Sequence, residues 1–165
     1  MKVWITTVST SSFAVINSLW AAIRHHDYLP KKVHFMANEM LSHQKYLDDV
    51  KMGFECILEG YDVEPKIEIH TFKETDFSSY AKTLGQLVFA EKRRGNTVAI
   101  DMTPGRKYMS ALSLYLGLGS DIEYKADKVF YHHLTDLSYG GKPYPLIPAN
   151  LPTLYDMKEK TKEAL

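Results

Sequence analysis

The chain has 165 residues, enough for one domain of ordinary size to bury a core without disulfide or metal staples. Its 20 Lys and Arg balance its 20 Asp and Glu, which excludes a polyanion binder of the histone or polymerase kind and confines any anion site to a local cluster. Cys56 is the single cysteine, so an internal disulfide and a cysteine-based zinc cluster are excluded, and the thiol fits a reducing cytoplasm.

The N-terminal "KVWITTV" (2–8) reads as a strand rather than a signal peptide, and no apolar run approaches the ~18 residues that span a bilayer. A cytoplasmic protein without membrane contact is expected. After "STSS", Val15, Ile16, Leu19, Trp20 and Ile23 keep one face of a helix. The strand "KKVHFMA" (31–37) leads to a helix with Leu47, Val50, Phe54, Ile57, Leu58 and Tyr61 at helical spacing. "PKIEIHTF" (65–72) is the third strand, and Asp76 is placed to cap the helix that follows, with Tyr80, Leu84, Leu87 and Val88 on its apolar side. The fourth unit runs from "TVAI" through "DMTPGRK" into "YMSALSLYLGL", a helix over 108–118. "KADKVFYHHL" (125–134) is a fifth strand, "DLSYGGKPYPLIP" (136–148) a loop or short hairpin, and a last helix is predicted from Leu151 or Pro152, its charged end a helix or linker stub. Strand and helix alternate at a spacing that predicts one α/β domain over 1–165. Its open, Rossmann-like sheet is mainly parallel, with helices on both faces and a C-terminal hairpin or loop and short helix.

Ligands of open α/β sheets bind off the carboxyl ends of the strands, near the point where strand order reverses. Two turns have the chemistry for that place. Ser9, Thr10, Ser11 and Ser12 follow the first strand, where hydroxyls and free amides at a helix N-terminus suit either ordinary capping or an anion. In the second turn Pro104 presets the backbone, Gly105 allows close approach, and Arg106 and Lys107 open a helix. Cations are unfavourable at that end of a helix dipole, so the pair is either a solvated surface feature or is matched to an anion. No G-x-G-x-x-G follows the first strand and no P-loop motif occurs, which argues against dinucleotide and ordinary P-loop cofactors.

The helix over 108–118 is apolar nearly all round and must be covered twice, by the C-terminal segment or by a second copy across a two-fold axis. Histidines occur as His25-His26 and His132-His133, and neighbours on a strand face opposite ways, so neither pair forms a metal site. His133 lies at the carboxyl end of the fifth strand and is a candidate for binding or proton transfer. Glu64 and Lys66 resemble a metal-nuclease core only faintly and stand at the wrong end of their strand.

Together, a first strand ending in a Ser/Thr cluster and a fourth ending in "DMTPGRKYMSA" resemble the CARF domain, the CRISPR-associated Rossmann fold of type III CRISPR systems. The resemblance runs over about residues 1–135 and rests most on Asp101, Thr103, Pro104, Gly105, Lys107 and Met109-Ser110-Ala111. It implies a homodimer that binds a cyclic oligoadenylate, cyclic tetra-adenylate first among them, with no cofactor, no metal and no duplex nucleic acid. It further implies either a ring nuclease that ends the signal or a sensor that controls an effector. Neither an Arg/His pair of an attached HEPN ribonuclease nor room for a further nuclease domain is found, which favours the ring nuclease. By the motif match Lys107 and Ser11 are catalytic, and Ser9, Thr10, Ser12, Thr103, Pro104, Gly105, Arg106 and His133 bind the ligand.

Overall fold

The computed structural model describes residues 1–40, 45–119 and 125–164. Among these residues six strands, β1 (Lys2–Thr7), β2 (Lys32–Asn38), β3 (Lys66–Phe72), β4 (Thr97–Asp101), β5 (Lys128–Leu134) and β6 (Pro152–Asp156), form one open sheet in the order β3-β2-β1-β4-β5-β6. All neighbours are parallel except β5 and β6, which run antiparallel with Phe130 opposite Asp156 and Leu134 opposite Pro152. The expected Rossmann-like α/β sheet is therefore present.

Among the described residues five helices cover it: α1 (Ser12–His26), α2 (Lys45–Glu59), α3 (Phe77–Arg93), α4 (Lys107–Leu118) and α5 (Met157–Ala164). One core layer packs Trp4, Phe35 and Phe130 of the sheet against Leu19 of α1 and Phe54 of α2. The other packs Val3, Ile5, Met36 and Ile100 against Tyr80, Leu84 and Val88 of α3 and Met109 of α4. Alternate residues of each central strand feed opposite layers, which is why β1 and β2 read as continuous apolar runs rather than as alternating ones.

Asp76 caps α3 as expected, its carboxylate accepting from the Ser79 amide at 2.9 Å. The C-terminal expectation needs correction. Residues 152–156 are strand β6, and the helix begins only at Met157. Pro152 starts β6 at the sheet's edge, where a missing N–H costs no ladder bond. Thr153 and Tyr155 then alternate with buried Leu154 and Asp156. The stretch 136–148 is the loop of the two alternatives, built from two single-turn 3₁₀ segments, Leu137–Tyr139 and Tyr144–Leu146. Tyr144 anchors it: its amide donates to Asn17 Oδ1 at 2.8 Å and its hydroxyl lies 2.7 Å from His25 Nε2.

Helix α4 is less covered than its sequence demands. Met109, Ser113 and Gly117 face inward at four-residue spacing, and Tyr108, Leu112 and Leu116 are partly buried against the core layer on that side of the sheet. Ala111 and Tyr115 are exposed, Tyr115 at 73%, and the C-terminal segment does not bury them. Gly117 brings the helix onto the sheet, since a Cβ there would lie 2.0 Å from Val129 Cγ2.

Candidate functional site

The order β3-β2-β1-β4-β5-β6 reverses between β1 and β4, because α1 carries the chain one way from β1 and α4 carries it the other way from β4. Both turns singled out in the sequence emerge at that point. They wall a cavity of ≈ 1030 Å³, lined on one side by Ser9, Thr10 and Ser11 and on the other by Thr103, Pro104, Gly105, Arg106 and Lys107. Ser12 lies in an adjoining cavity of ≈ 680 Å³ beside Thr10, Ser11 and the Gly140-Gly141 loop. His133 lines neither cavity. It is exposed at the end of β5, against Tyr131.

The second turn is held from beneath by Asp101. Its carboxylate accepts from Thr6 Oγ1 at 3.1 Å and from the Thr103 amide at 2.9 Å. Burial pushes this carboxyl up to about 7, against the opposing pull of the hydrogen bonds from Thr103 and Thr6. Thr103 Oγ1 in turn accepts from the His132 amide at 2.8 Å, which fastens the turn to β5. The Thr103 hydroxyl is thus committed to the scaffold, although the residue borders the cavity. His132 itself is buried on the opposite face from His133, beneath Tyr144 with 6.0 Å between ring centres. Burial first, and His133 beside it second, lower its pKa to about 4.

Gly105 sits at φ +100°, a region open to glycine and strained for other residues. A Cβ there would also stand 2.9 Å from Met109 Sδ. This turn delivers Arg106 as the N-cap and Lys107 as the first residue of α4. Lys107 is exposed and has no partner among the described residues. Arg106 differs: its guanidinium is paired with the Glu74 carboxylate, whose other oxygen accepts from Asn38 Nδ2 at 3.3 Å.

On the facing side, α1 begins with Ser11 as N-cap, but no side-chain cap hydrogen bond forms. Ser11 uses its backbone instead, its amide donating to Ser9 Oγ at 3.3 Å. Ordinary capping, the alternative reading of this cluster, is therefore not what the Ser11 hydroxyl does. Two helix N-termini with open first-turn amides, an uncommitted hydroxyl and a free ammonium thus border one cavity. That arrangement suits a phosphate-bearing ligand.

Sequence reading missed the residues that the β2 and β3 ends contribute: Asn38, Met40, Phe72 and Glu74. Tyr108 also lines the cavity, with its hydroxyl donating to the Glu74 carbonyl at 2.8 Å and its ring 4.2 Å from that of Phe77. It directly follows Lys107, and that adjacency was its only signal.

No protein-family model matches the chain, and no curated protein matches it significantly. Solved structures do. Csm6 of Enterococcus italicus, bound to cyclic hexa-2′-fluoro-hexa-dAMP, is similar with TM-score 0.65 at 15% identity, over 99% of this chain and 43% of that one. Can2 from Sulfobacillus thermosulfidooxidans, in complex with cyclic tetra-adenylate, gives TM-score 0.52 at 9% identity, over 84% of this chain and 33% of its own. A type III CRISPR defence DNA nuclease activated by cyclic oligoadenylate gives TM-score 0.53 at 21% identity, over 81% and 19%. At these identities the likeness is one of fold, and this chain spans less than half of each of the three.

Proposed function

We propose that this chain, which has the CARF fold of those proteins, binds a cyclic oligoadenylate across a homodimer and cleaves it as a ring nuclease. The observation that carries the reading is the meeting of Ser11 and Lys107 on opposite walls of one cavity at the switch point. A cyclic oligoadenylate has one phosphate per nucleotide on a symmetric ring. Two copies of a small basic turn can therefore serve it in a protein whose formal net charge is +0. The uncovered face of α4, with Ala111 and Tyr115 exposed, supports a second copy as its cover.

In the cleavage step a ribose 2′ oxygen forms a bond to its own 3′ phosphorus while the bond from phosphorus to O5′ breaks. The proton leaves O2′ and O5′ gains one, giving a 2′,3′-cyclic phosphate and a 5′ hydroxyl. Alignment of the 2′ oxygen opposite the leaving oxygen and stabilisation of charge on the pentacoordinate phosphorus supply the acceleration. Lys107 provides the positive charge, the amides of the first turn of α4 add their dipoles, and Ser11 holds the ribose or the phosphate. Gly105 and Arg106 seat the ring, with Ser9, Thr10 and Ser12 on the opposite side.

A second reading, a sensor that holds the messenger uncut, is favoured by the absence of a free base among the described residues of the cavity. Its carboxylate, Glu74, is engaged by Arg106 and Asn38, and His133 stands outside. One experiment separates the two. Labelled cyclic tetra- and hexa-adenylate are incubated with the protein in EDTA, beside Lys107→Ala. The ring nuclease gives linear products ending in a cyclic phosphate, reduced at least about tenfold in the variant, as expected for a lost charge at the reacting phosphate. Binding without products leaves the sensor, and neither binding nor products removes the family reading.

A further inference from the structure

We propose that His34, Glu68 and His70 form a binding site for a late first-row transition-metal dication of the zinc class, clamping the edge strand β3 to β2. The site is separate from the messenger cavity and does not depend on the function proposed above.

The parallel register of β2 and β3 sets His34 beside Glu68 and Met36 beside His70, so all of these face the α3 side of the sheet. Their ligand atoms lie within 4.8 Å of one another. His34 Nδ1 is 2.9 Å from His70 Nε2 and 3.5 Å from Glu68 Oε2. Ligands at ~2.0–2.1 Å from a tetrahedral zinc stand about 3.3 Å apart, so both separations fall within a few tenths of an ångström of that geometry.

Glu91 at the end of α3 fixes the orientation of the buried ligand. Its Oε1 lies 3.2 Å from His34 Nε2, and a carboxylate facing a neutral imidazole takes its N–H. The hydrogen is therefore on Nε2 and the Nδ1 lone pair points at the shared centre, which is the outer-shell arrangement that metal-bound histidines use. Without an ion, His70 Nε2–H donates to that lone pair. On binding, the hydrogen of His70 moves to its Nδ1 and Nε2 becomes the second ligand.

The nearby cations divide the Glu68 carboxylate rather than close it. Lys66 and Lys32 take Oε1, at 2.8 and 3.2 Å, and leave Oε2 for the metal. Lys32 is itself paired with Glu91 Oε1 at 2.7 Å, an oxygen it shares with Arg94 at 2.6 Å. Two imidazoles and one monodentate carboxylate select zinc, cobalt, nickel or copper over magnesium and calcium, which take oxygen ligands. Glu68 and His70 are half-buried on an edge strand, so a water can complete the fourth position.

The test is a calorimetric titration of the chelator-stripped protein with Zn²⁺ alone, together with the visible spectrum of the Co²⁺-loaded form. The expected result is one ion per chain with a tetrahedral cobalt spectrum. Outer-shell losses weaken metal sites about 10- to 100-fold, so loss of a direct ligand in His70→Ala or Glu68→Gln lowers affinity by roughly 100-fold or more. His34 is buried and is left intact, which keeps folding out of the comparison. His133→Ala, at an exposed histidine outside the cluster, binds like the wild type. Failure to saturate at one ion per chain, or unchanged binding in both His70→Ala and Glu68→Gln, overturns the proposal.

Discussion

At the scale of single residues, Asp101 shows how a motif residue can act without touching a ligand. It is buried beneath the turn that presents Arg106 and Lys107, accepting from Thr6 and the Thr103 amide. Desolvation raises its pKa to about 7 in the folded chain, above the roughly 3.9 of an unfolded aspartate. The folded state therefore holds more protons than the unfolded state between pH about 4 and about 7, and this residue's contribution to stability falls as pH rises through that window. His132 works in the opposite sense over part of it, since its folded pKa is lowered to about 4 and its contribution is lost as pH falls. Comparison with Asp101→Asn isolates the carboxyl. Urea unfolding at a series of pH values should show the variant gaining on the wild type from pH about 4 to about 7 and level thereafter. A difference independent of pH would mean that Asp101 is not protonated by burial. The motif made Asp101 visible in the sequence, but its partner Thr6 comes from another strand, so its structural role was not. Arg106 carries the same lesson, because the carboxylate that engages it, Glu74, lies in the turn before α3.

At the scale of elements, β1 to β5 and α1 to α4 were legible as short apolar strands alternating with apolar-faced or wholly apolar helices, and β6 was not because "PTLYD" is short, begins with proline and runs straight into a charged helix. The metal cluster was hidden for a related reason: His34 and His70 meet only through the register of two strands 36 residues apart in sequence. Helix α4 was legible as over-apolar, and the structure divides its surface. Its inward stripe tolerates no added volume at Gly117, where a Cβ would lie 2.0 Å from Val129 Cγ2 on a stiff β-branched side chain. Gly117→Ala should destabilise by about 1–3 kcal/mol from overpacking. Adding Val129→Ala should return part of the loss, a coupling that a double-mutant cycle in urea would register. The outward stripe is where the proposed dimer closes. Ala111→Glu with Tyr115→Lys puts an i,i+4 ion pair on exposed positions, so the helix is preserved while the apolar patch is lost. The expected outcome is a monomer in sedimentation velocity that keeps the helical circular dichroism of the folded chain. A dimer that persists would move the seam to another face.

At the scale of the whole molecule, the switch point between β1 and β4 brings two helix N-termini, and a lysine and a serine hydroxyl without partners among the described residues, to one cavity in a chain with no net charge. A local anion site of this kind gains most when a two-fold axis doubles it, since a symmetric ring then meets the same turn twice. The similar structures hold a cyclic hexanucleotide analogue and a cyclic tetra-adenylate, so both ring sizes belong in any test. Rings with 2′-fluoro riboses lack the hydroxyl that the cleavage step uses, and they separate binding from chemistry. The most direct measurement is a calorimetric titration of the protein with 2′-fluoro cyclic tetra- and hexa-adenylate. Saturation by one of them at one ring per two chains is expected, with affinity falling at least about tenfold in Lys107→Ala, the loss of a charge-assisted phosphate contact from each protomer. Saturation by neither ring, or binding at one ring per chain that Lys107→Ala leaves unchanged, would contradict it.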